Sequence, residues 1–305
     1  MTAAPLSLSR LARDFPVLSE SLKGVERAAA TDAPVLILGE AGTGRSTLAR
    51  AIHESSPRSA GSLVELDVGA IPSTLFESEL FGYRAGAFTG AERASDGRVG
   101  RAEAGTLVLD HVEELPLETQ PKLLRLVAER RYAPLGDMER AADLRFLAIG
   151  CEDLPLRVAR ETFRPDLFYR LEVLAFLLPP LRERRRDLPA ILDHLLADLA
   201  IRFNRPDLEL APGARAWMLD HPWPGNLRQL RNVLERGLIL AGDGVIDPSP
   251  PEGTSEARPR SLLEMEKEMI RNTLAYTRGH QGQAADLLGI SRKALWEKRK
   301  RYGIP

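Results

Sequence analysis

The chain has 305 residues, 28% of them charged and 44% hydrophobic, and a formal net charge of -1. That length suits about two domains with cores of their own, and the charge balance excludes a bulk polyanion binder, so any nucleic-acid contact must come from a local basic patch. The single cysteine, Cys151, excludes an internal disulfide and a cysteine-based zinc site, and the five scattered histidines lack metal-ligand spacing.

Along the chain, the first twenty residues carry no long apolar run behind a basic start, so no secretory signal is expected. Residues 35–38 form a short continuous apolar run, followed by glycines and then a helical pattern: strand, loop, helix. Similar buried-strand runs lie at 63–68, 106–109, 145–149 and 173–178, with helical segments such as 118–129 between them. This alternation predicts an α/β fold with a three-layer parallel sheet over residues 1–188. The run 173–178 is too short to span a bilayer and stops at Pro179 and Pro180, so a cytoplasmic protein without membrane contact is expected. After Pro189 the pattern is helical, at 190–203, 213–220 and 226–240, predicting a small lid over 189–241. Proline, glycine and serine dominate 242–260, which reads as a linker. Residues 261–305 are helical again and predict a small all-α domain.

The loop after the first strand carries chemistry. Gly39, Glu40, Ala41, Gly42, Thr43, Gly44, Arg45 and Ser46 follow the P-loop glycine frame, with Thr47 continuing into the helix. Glycines let backbone N–H groups turn inward around phosphates, and the helix N-terminus aims at the same anion. Ser46 is placed to hold Mg²⁺. Arg45 departs from the frame, because a lysine is expected there; a planar guanidinium keeps the charge but not the compact shape.

In the C-terminal part, 261–277 reads as a helix with apolar Leu262, Leu263, Met265, Met269, Ile270 and Leu274. A short helix at 283–288, a tight turn at Gly289 and Ile290, and a helix at 291–302 N-capped by Ser291 make a helix-turn-helix. Arg292, Lys293, Lys298, Arg299, Lys300 and Arg301 crowd its last helix against one acid, Glu297. Ser291, Arg292 and Lys293 stand where base contacts are made, while Lys298, Arg299 and Arg301 suit phosphates. Trp296, Leu287, Leu288 and Leu295 are expected in the core.

Six motifs in order carry a resemblance. They are Glu77-Ser-Glu-Leu-Phe-Gly82, Gly86-Ala-Phe-Thr-Gly-Ala91, Gly105-Thr-Leu-Val-Leu-Asp110, Phe163-Arg-Pro-Asp-Leu-Phe-Tyr-Arg-Leu171, Leu178-Pro-Pro-Leu-Arg-Glu-Arg184 and Trp223-Pro-Gly-Asn-Leu-Arg228. The chain resembles the sigma-54-dependent activators, bacterial enhancer-binding proteins of the AAA+ class, from about residue 15 to 240. Residues 282–304 resemble the Fis-type reader that ends many of them. The resemblance implies that Gly86, Ala87, Phe88, Thr89, Gly90 and Ala91 form the loop that contacts sigma-54 and remodels its RNA polymerase. Gly86 and Gly90 would supply a mobile turn and Phe88 an exposed aromatic anchor. It further implies that Asp110 holds Mg²⁺, that Arg164 and Arg170 are fingers reaching a neighbouring subunit's ATP, and that Arg228 senses nucleotide from the lid. Partners would be enhancer DNA and further copies or a paralogue in a ring, a hexamer in this family. The family usually places a sensor domain before the ATPase, and none fits ahead of Phe15, so control is expected from a regulatory protein in trans, from expression level or from the linker.

Four residues depart from the family pattern, all on the nucleotide chemistry. Arg45 replaces the P-loop lysine, and His111 replaces the glutamate that polarises the attacking water. Cys151 stands for the sensor asparagine, and Asp67 for an asparagine that couples to the glutamate. Losing a general base typically removes roughly 10²–10⁴ in rate. Two readings follow: an activator that works with an active paralogue, or a hydrolysis-deficient nucleotide-binding regulator of an active partner.

Overall fold

The computed structural model describes residues 7–206, 208–241 and 245–246, and beyond them 266, 267, 269–271, 273, 274, 277 and 280–302. The chain divides into two compact units, Met1–Ser249 and Pro250–Pro305.

In the first unit the strands are β1 (Val35–Gly39), β2 (Leu63–Asp67), β3 (Thr106–Asp110), β4 (Arg131–Tyr132), β5 (Arg140–Ala141), β6 (Arg145–Gly150) and β7 (Leu174–Leu178). Five of them form one parallel sheet in the order β2-β3-β6-β1-β7, while β4 and β5 make a short antiparallel hairpin. The predicted α/β sheet is therefore observed. Its strands end one residue further along at Gly39, Asp110 and Gly150, because ladder hydrogen bonds continue past the last apolar residue.

Alternation along β1 divides the core. Val35 and Ile37 face a cluster with Leu48, Ile52 and the lid residues Leu188, Ile191 and Leu230. Leu36 and Leu38 face the other side with Phe76, Leu80, Leu123 and Phe146. β1 is buried on both faces, which is why it reads as an unbroken apolar run. Arg145, fully buried at the start of β6, donates Nη1 to the Ala29 carbonyl and Nη2 to the Ala28 carbonyl, each at 2.8 Å. Its charge thus sits at the C-terminal end of the helix Val25–Ala29, where the helix dipole favours a cation.

The lid contains the helices Leu188–Arg202, Pro212–Asp220 and Asn226–Leu240. Within the stretch expected as linker, Val245–Ile246 instead form β9, parallel to β8 (Glu209–Leu210). Ile246 is fully buried in the lid core, and that burial holds the segment to the first unit. The remainder of that linker lies outside the described residues.

The second unit shows helices Gln281–Leu287 and Arg292–Tyr302, with Gly289 in the left-handed region at φ +66 between them. Ile270, Leu274, Ala284, Ala285 and Leu295 form its core. Much of the helix expected at 261–277 lies outside the described residues; those described at 266–274 are helical. Among the described residues no helix is long and apolar enough to cross a membrane.

Candidate functional site

The sheet order reverses beside β1, and ligands of open α/β sheets bind at such switch points, beyond the strand C-termini. The P-loop leaves β1 there. Gly39, Gly42 and Gly44 take φ of +148, +81 and +104, which side-chain-bearing residues rarely adopt. A Cβ on Gly39 would stand 2.8 Å from the Leu178 carbonyl oxygen, and one on Gly42 would stand 2.6 Å from that of Gly225. The helix Arg45–Glu54 starts at this loop.

A cavity of about 420 Å³ lies against the loop. One end is apolar, lined by Leu11, Phe15, Leu18, Leu22, Ile191 and Leu195; the other is polar, lined by residues 42–47, Asp110, His111 and Arg228. Apolar and phosphate-facing ends in one pocket match the two halves of a nucleotide. Ser46 Oγ donates to Asp110 Oδ2 at 3.2 Å, so a hydroxyl and a carboxylate already converge. Oxygen donors of this kind, few in number and completed by phosphates and water, suit Mg²⁺.

Arg45 is turned away from the compact role of a P-loop lysine. It is buried, and its Nη1 donates to the carbonyls of Gly39 at 2.8 Å and Gly150 at 2.6 Å. Those are the last residues of β1 and β6, so the guanidinium staples two strand ends beneath the loop.

His111 and Asp67, separated by 44 residues in sequence, are partners. The β2–β3 register sets Asp67 opposite Asp110, and His111 adopts φ +56 just beyond. Its Nδ1 lies 2.8 Å from Asp67 Oδ1 and 3.8 Å from Asp110 Oδ1. Burial disfavours the charged imidazole, but the Asp67 hydrogen bond and the carboxylates of Asp110, Asp67 and Glu113 outweigh it, so its pKa is raised. The two departures noted in sequence thus form one exchanged pair. At the end of β6, burial and a hydrogen bond to Asp153 push the Cys151 thiol up to about 12. It is a neutral thiol at physiological pH, and its backbone N–H donates to Glu113 at 3.2 Å.

The lid contacts on the P-loop come from residues of the motifs at 178–184 and 223–228 to which the sequence assigns no role. Arg182 grips Glu40 through both carboxylate oxygens, at 2.9 and 2.6 Å. Asn226, fully buried, donates to Glu40 Oε2 and the Ala41 carbonyl and accepts from the Leu181 N–H. The Arg182 hydrogen bond holds the Glu40 carboxyl below its usual range. Glu40, expected among the nucleotide-binding residues, therefore serves as the anchor of the lid. Arg184 reaches the Thr43 carbonyl at 3.5 Å and pairs with buried Asp187, which accepts the N–H groups of Val17 and Leu18. The signal for these roles was the polar content of the motifs at 178–184 and 223–228.

Arg164 and Arg170 do not line this chain's own cavity. Arg164 pairs with Asp166, and Arg170 donates to the Ala128 carbonyl at 3.1 Å. Gln120, missed in sequence, is fully buried and fixes the start of this segment by accepting the Arg164 N–H at 2.8 Å.

Residues 86–91 form a tight turn closed by Gly86 N–H to Ala91 O at 2.8 Å and Ala91 N–H to Phe88 O at 3.0 Å. Gly86 and Gly90 have φ of +83 and +99. Thr89 is exposed, Ala87 half-buried and Ala91 buried. Phe88 is 43% exposed, its ring edge-on to Tyr83 at 4.9 Å, so it is a supported surface aromatic.

In the second unit Ser291 Oγ caps the last helix by accepting the Ala294 N–H at 3.1 Å. Ser291, Arg292, Lys293 and Arg301 are exposed, whereas Arg299 is half-buried and Lys298 is tied to Glu266. Leu295 and Leu288 pack inward as expected. Trp296 and Leu287 do not: they are 55% and 63% exposed, because each follows or precedes the inward-facing leucine by one residue and so points off the packed stripe.

Comparison with known proteins matches this arrangement along the chain. Residues 11–176 match the sigma-54 interaction domain, 182–258 the AAA+ ATPase lid domain and 261–302 the bacterial regulatory protein Fis family. The alginate biosynthesis transcriptional regulatory protein AlgB of Pseudomonas aeruginosa is 42% identical over 95% of this chain and 66% of its own length. The transcriptional regulatory protein ZraR of Klebsiella oxytoca is 37% identical over 99% and 71%. NtrX of Brucella abortus, solved in complex with ATP, superimposes with a TM-score of 0.71 at 32% identity over 99% of this chain and 70% of that one. The chain spans about two thirds of the length of the curated relatives it matches. It belongs to the sigma-54-dependent transcriptional regulators, with their AAA+ ATPase module, lid and Fis-type helix-turn-helix.

Proposed function

We propose that this protein is a sigma-54-dependent transcription activator that binds ATP at the P-loop and enhancer DNA through its helix-turn-helix. Residues 86–91 would meet sigma-54 and promote opening of the promoter by its RNA polymerase. Asp110 and Ser46 would hold Mg²⁺, which supplies charge neutralisation at the phosphates. Thr43, Gly44 and Thr47 would wrap the nucleotide, with Arg228 reaching in from the lid. Structures of NtrX with ATP and ADP support the nucleotide assignment. In this reading turnover is slow, and the protein works in a ring, hexameric in this family, with an active paralogue. Its Arg164 and Arg170 complete a neighbour's site, while its own loop still engages the polymerase.

The observation that carries slow turnover is the His111–Asp67 pair. The family's water-polarising carboxylate is absent, and the imidazole nitrogen Nδ1 is committed to Asp67 at 2.8 Å. The same bond favours a second reading: a carboxylate that orients an imidazole is also how hydrolases build a base. A third arrangement, a nucleotide-binding regulator that only modulates an active partner, shares the site and differs in output. ATP turnover by the purified chain, followed by open-complex formation on a sigma-54 promoter with and without a paralogue, separates them. Slow turnover with paralogue-dependent opening is expected. Fast turnover and opening by the chain alone would overturn the mixed ring, and opening unaffected by Phe88→Ala would overturn the loop assignment.

A further inference from the structure

The helix Arg292–Tyr302 has one continuous exposed face. Arg292, Lys293, Trp296, Glu297 and Lys300 are all exposed on it, at the spacing of three and four that places side chains together. Leu295 is fully buried and turns the opposite face into the core. Trp296 therefore stands on the exposed side of this helix, away from the buried Leu295.

A tryptophan is a large apolar side chain to leave in water, and this one has a cation over its ring. The Lys300 ammonium lies 5.3 Å from its ring centroid, a cation–π contact that orients both groups. Three cations against Glu297 make the face complementary to a polyanion and repulsive to its own copy. Trp296 lies four positions beyond Arg292, about 6 Å along the axis, so both fit within one major groove. The edges of the four bases differ there in donors and acceptors, and thymine alone presents an apolar group, its 5-methyl. The broad apolar face of an indole is complementary to that methyl, while its one polar group is a single N–H donor.

We propose that Trp296 is a specificity-determining residue of the DNA reader: its indole packs on the 5-methyl of a thymine, one helical turn beyond the bases met by Arg292 and Lys293. The proposal rests on the DNA-reading assignment of the second unit. Lys300 holds the ring in place and meets a phosphate.

The test uses the full chain. A preferred duplex is first selected from random sequence, and each thymine in it is then replaced singly by deoxyuridine, which lacks only the methyl. Wild-type protein is expected to lose about fourfold in affinity at a thymine it reads, the effect of burying one methyl-sized group. Trp296→Ala, exposed and so harmless to folding, is expected to bind thymine and uracil duplexes equally while keeping its salt dependence. Lys300→Ala should lower the salt slope by about one. Thymine discrimination that survives in Trp296→Ala, or is absent from wild type, overturns the proposal. Dissociation of a dimer by Trp296→Ala, with discrimination intact, would assign the indole to a second copy and also overturn it. Wild-type protein with no salt-dependent DNA binding at all would instead remove the reader assignment itself.

Discussion

Replacing His111 by glutamate and Asp67 by asparagine, singly and together, asks whether the exchanged pair beyond β3 limits hydrolysis. The hydrogen bond joining them is 2.8 Å long, and Asp110 lies 3.8 Å from the same imidazole nitrogen. His111→Glu alone would set a new carboxylate against Asp67 and Asp110. Two like charges about 4 Å apart cost about 4 kcal/mol at an effective dielectric of 20 and about 1 kcal/mol in water. The side chains are 33% and 51% exposed, so solvent screening brings the cost to about 1–2 kcal/mol. Asp67→Asn alone removes the charge opposite the imidazole, leaves an amide oxygen that can still accept from it, and adds no base. Together the substitutions restore a carboxylate with a neutral amide beside it. The double variant should gain roughly 10²-fold or more in kcat, the usual value of a general base. It should exceed the product of the two single effects by about tenfold, the coupling expected from the charge repulsion. Steady-state phosphate release at saturating ATP measures this. A double variant no faster than wild type, or single effects that simply multiply, would refute the reasoning.

Further outcomes follow from the same geometry. Arg45→Ala removes a charge-assisted staple between the ends of β1 and β6; a loss of about 2–4 kcal/mol in urea unfolding is expected, from two bonds of about 1.5–3 kcal/mol each partly replaced by water. Asn226→Ala breaks the buried link between lid and P-loop and should both lower stability by about 2 kcal/mol and weaken ATP binding measured by calorimetry. His53 is buried against Thr106, and burial lowers its pKa below the ordinary imidazole value. The folded state then binds fewer protons than the unfolded one, so this contribution is present above about pH 6.5 and is lost as pH falls below it. The fall in urea midpoint between pH 7.5 and 5.5 should therefore be smaller in His53→Gln than in wild type.

The sheet strands, the glycine frame of the P-loop and the helix-turn-helix were legible in the sequence because each is written locally. A strand buried on both faces must be an apolar run, as at 35–38; a loop with three positive φ angles needs glycine at those positions; a capped helix after a glycine turn needs Ser291 and Gly289. The family motifs give the expected roles of the remaining candidate residues by position. Contacts between distant segments could not be read this way. His111 meets Asp67 only because β2 lies beside β3 with Asp67 opposite Asp110. Arg45 finds its two carbonyls only because β6 neighbours β1. Glu40 could not be known as a lid anchor before Arg182 and Asn226 were placed over it. Trp296 was misplaced in the core because composition records that a residue is apolar, while the facing of a helix depends on which neighbours claim the inner stripe. Local backbone demands and hydrophobic periodicity are properties of a segment and survive in one dimension. Strand order, register and lid closure join segments up to 186 residues apart, and these decided which charges and donors share the nucleotide site.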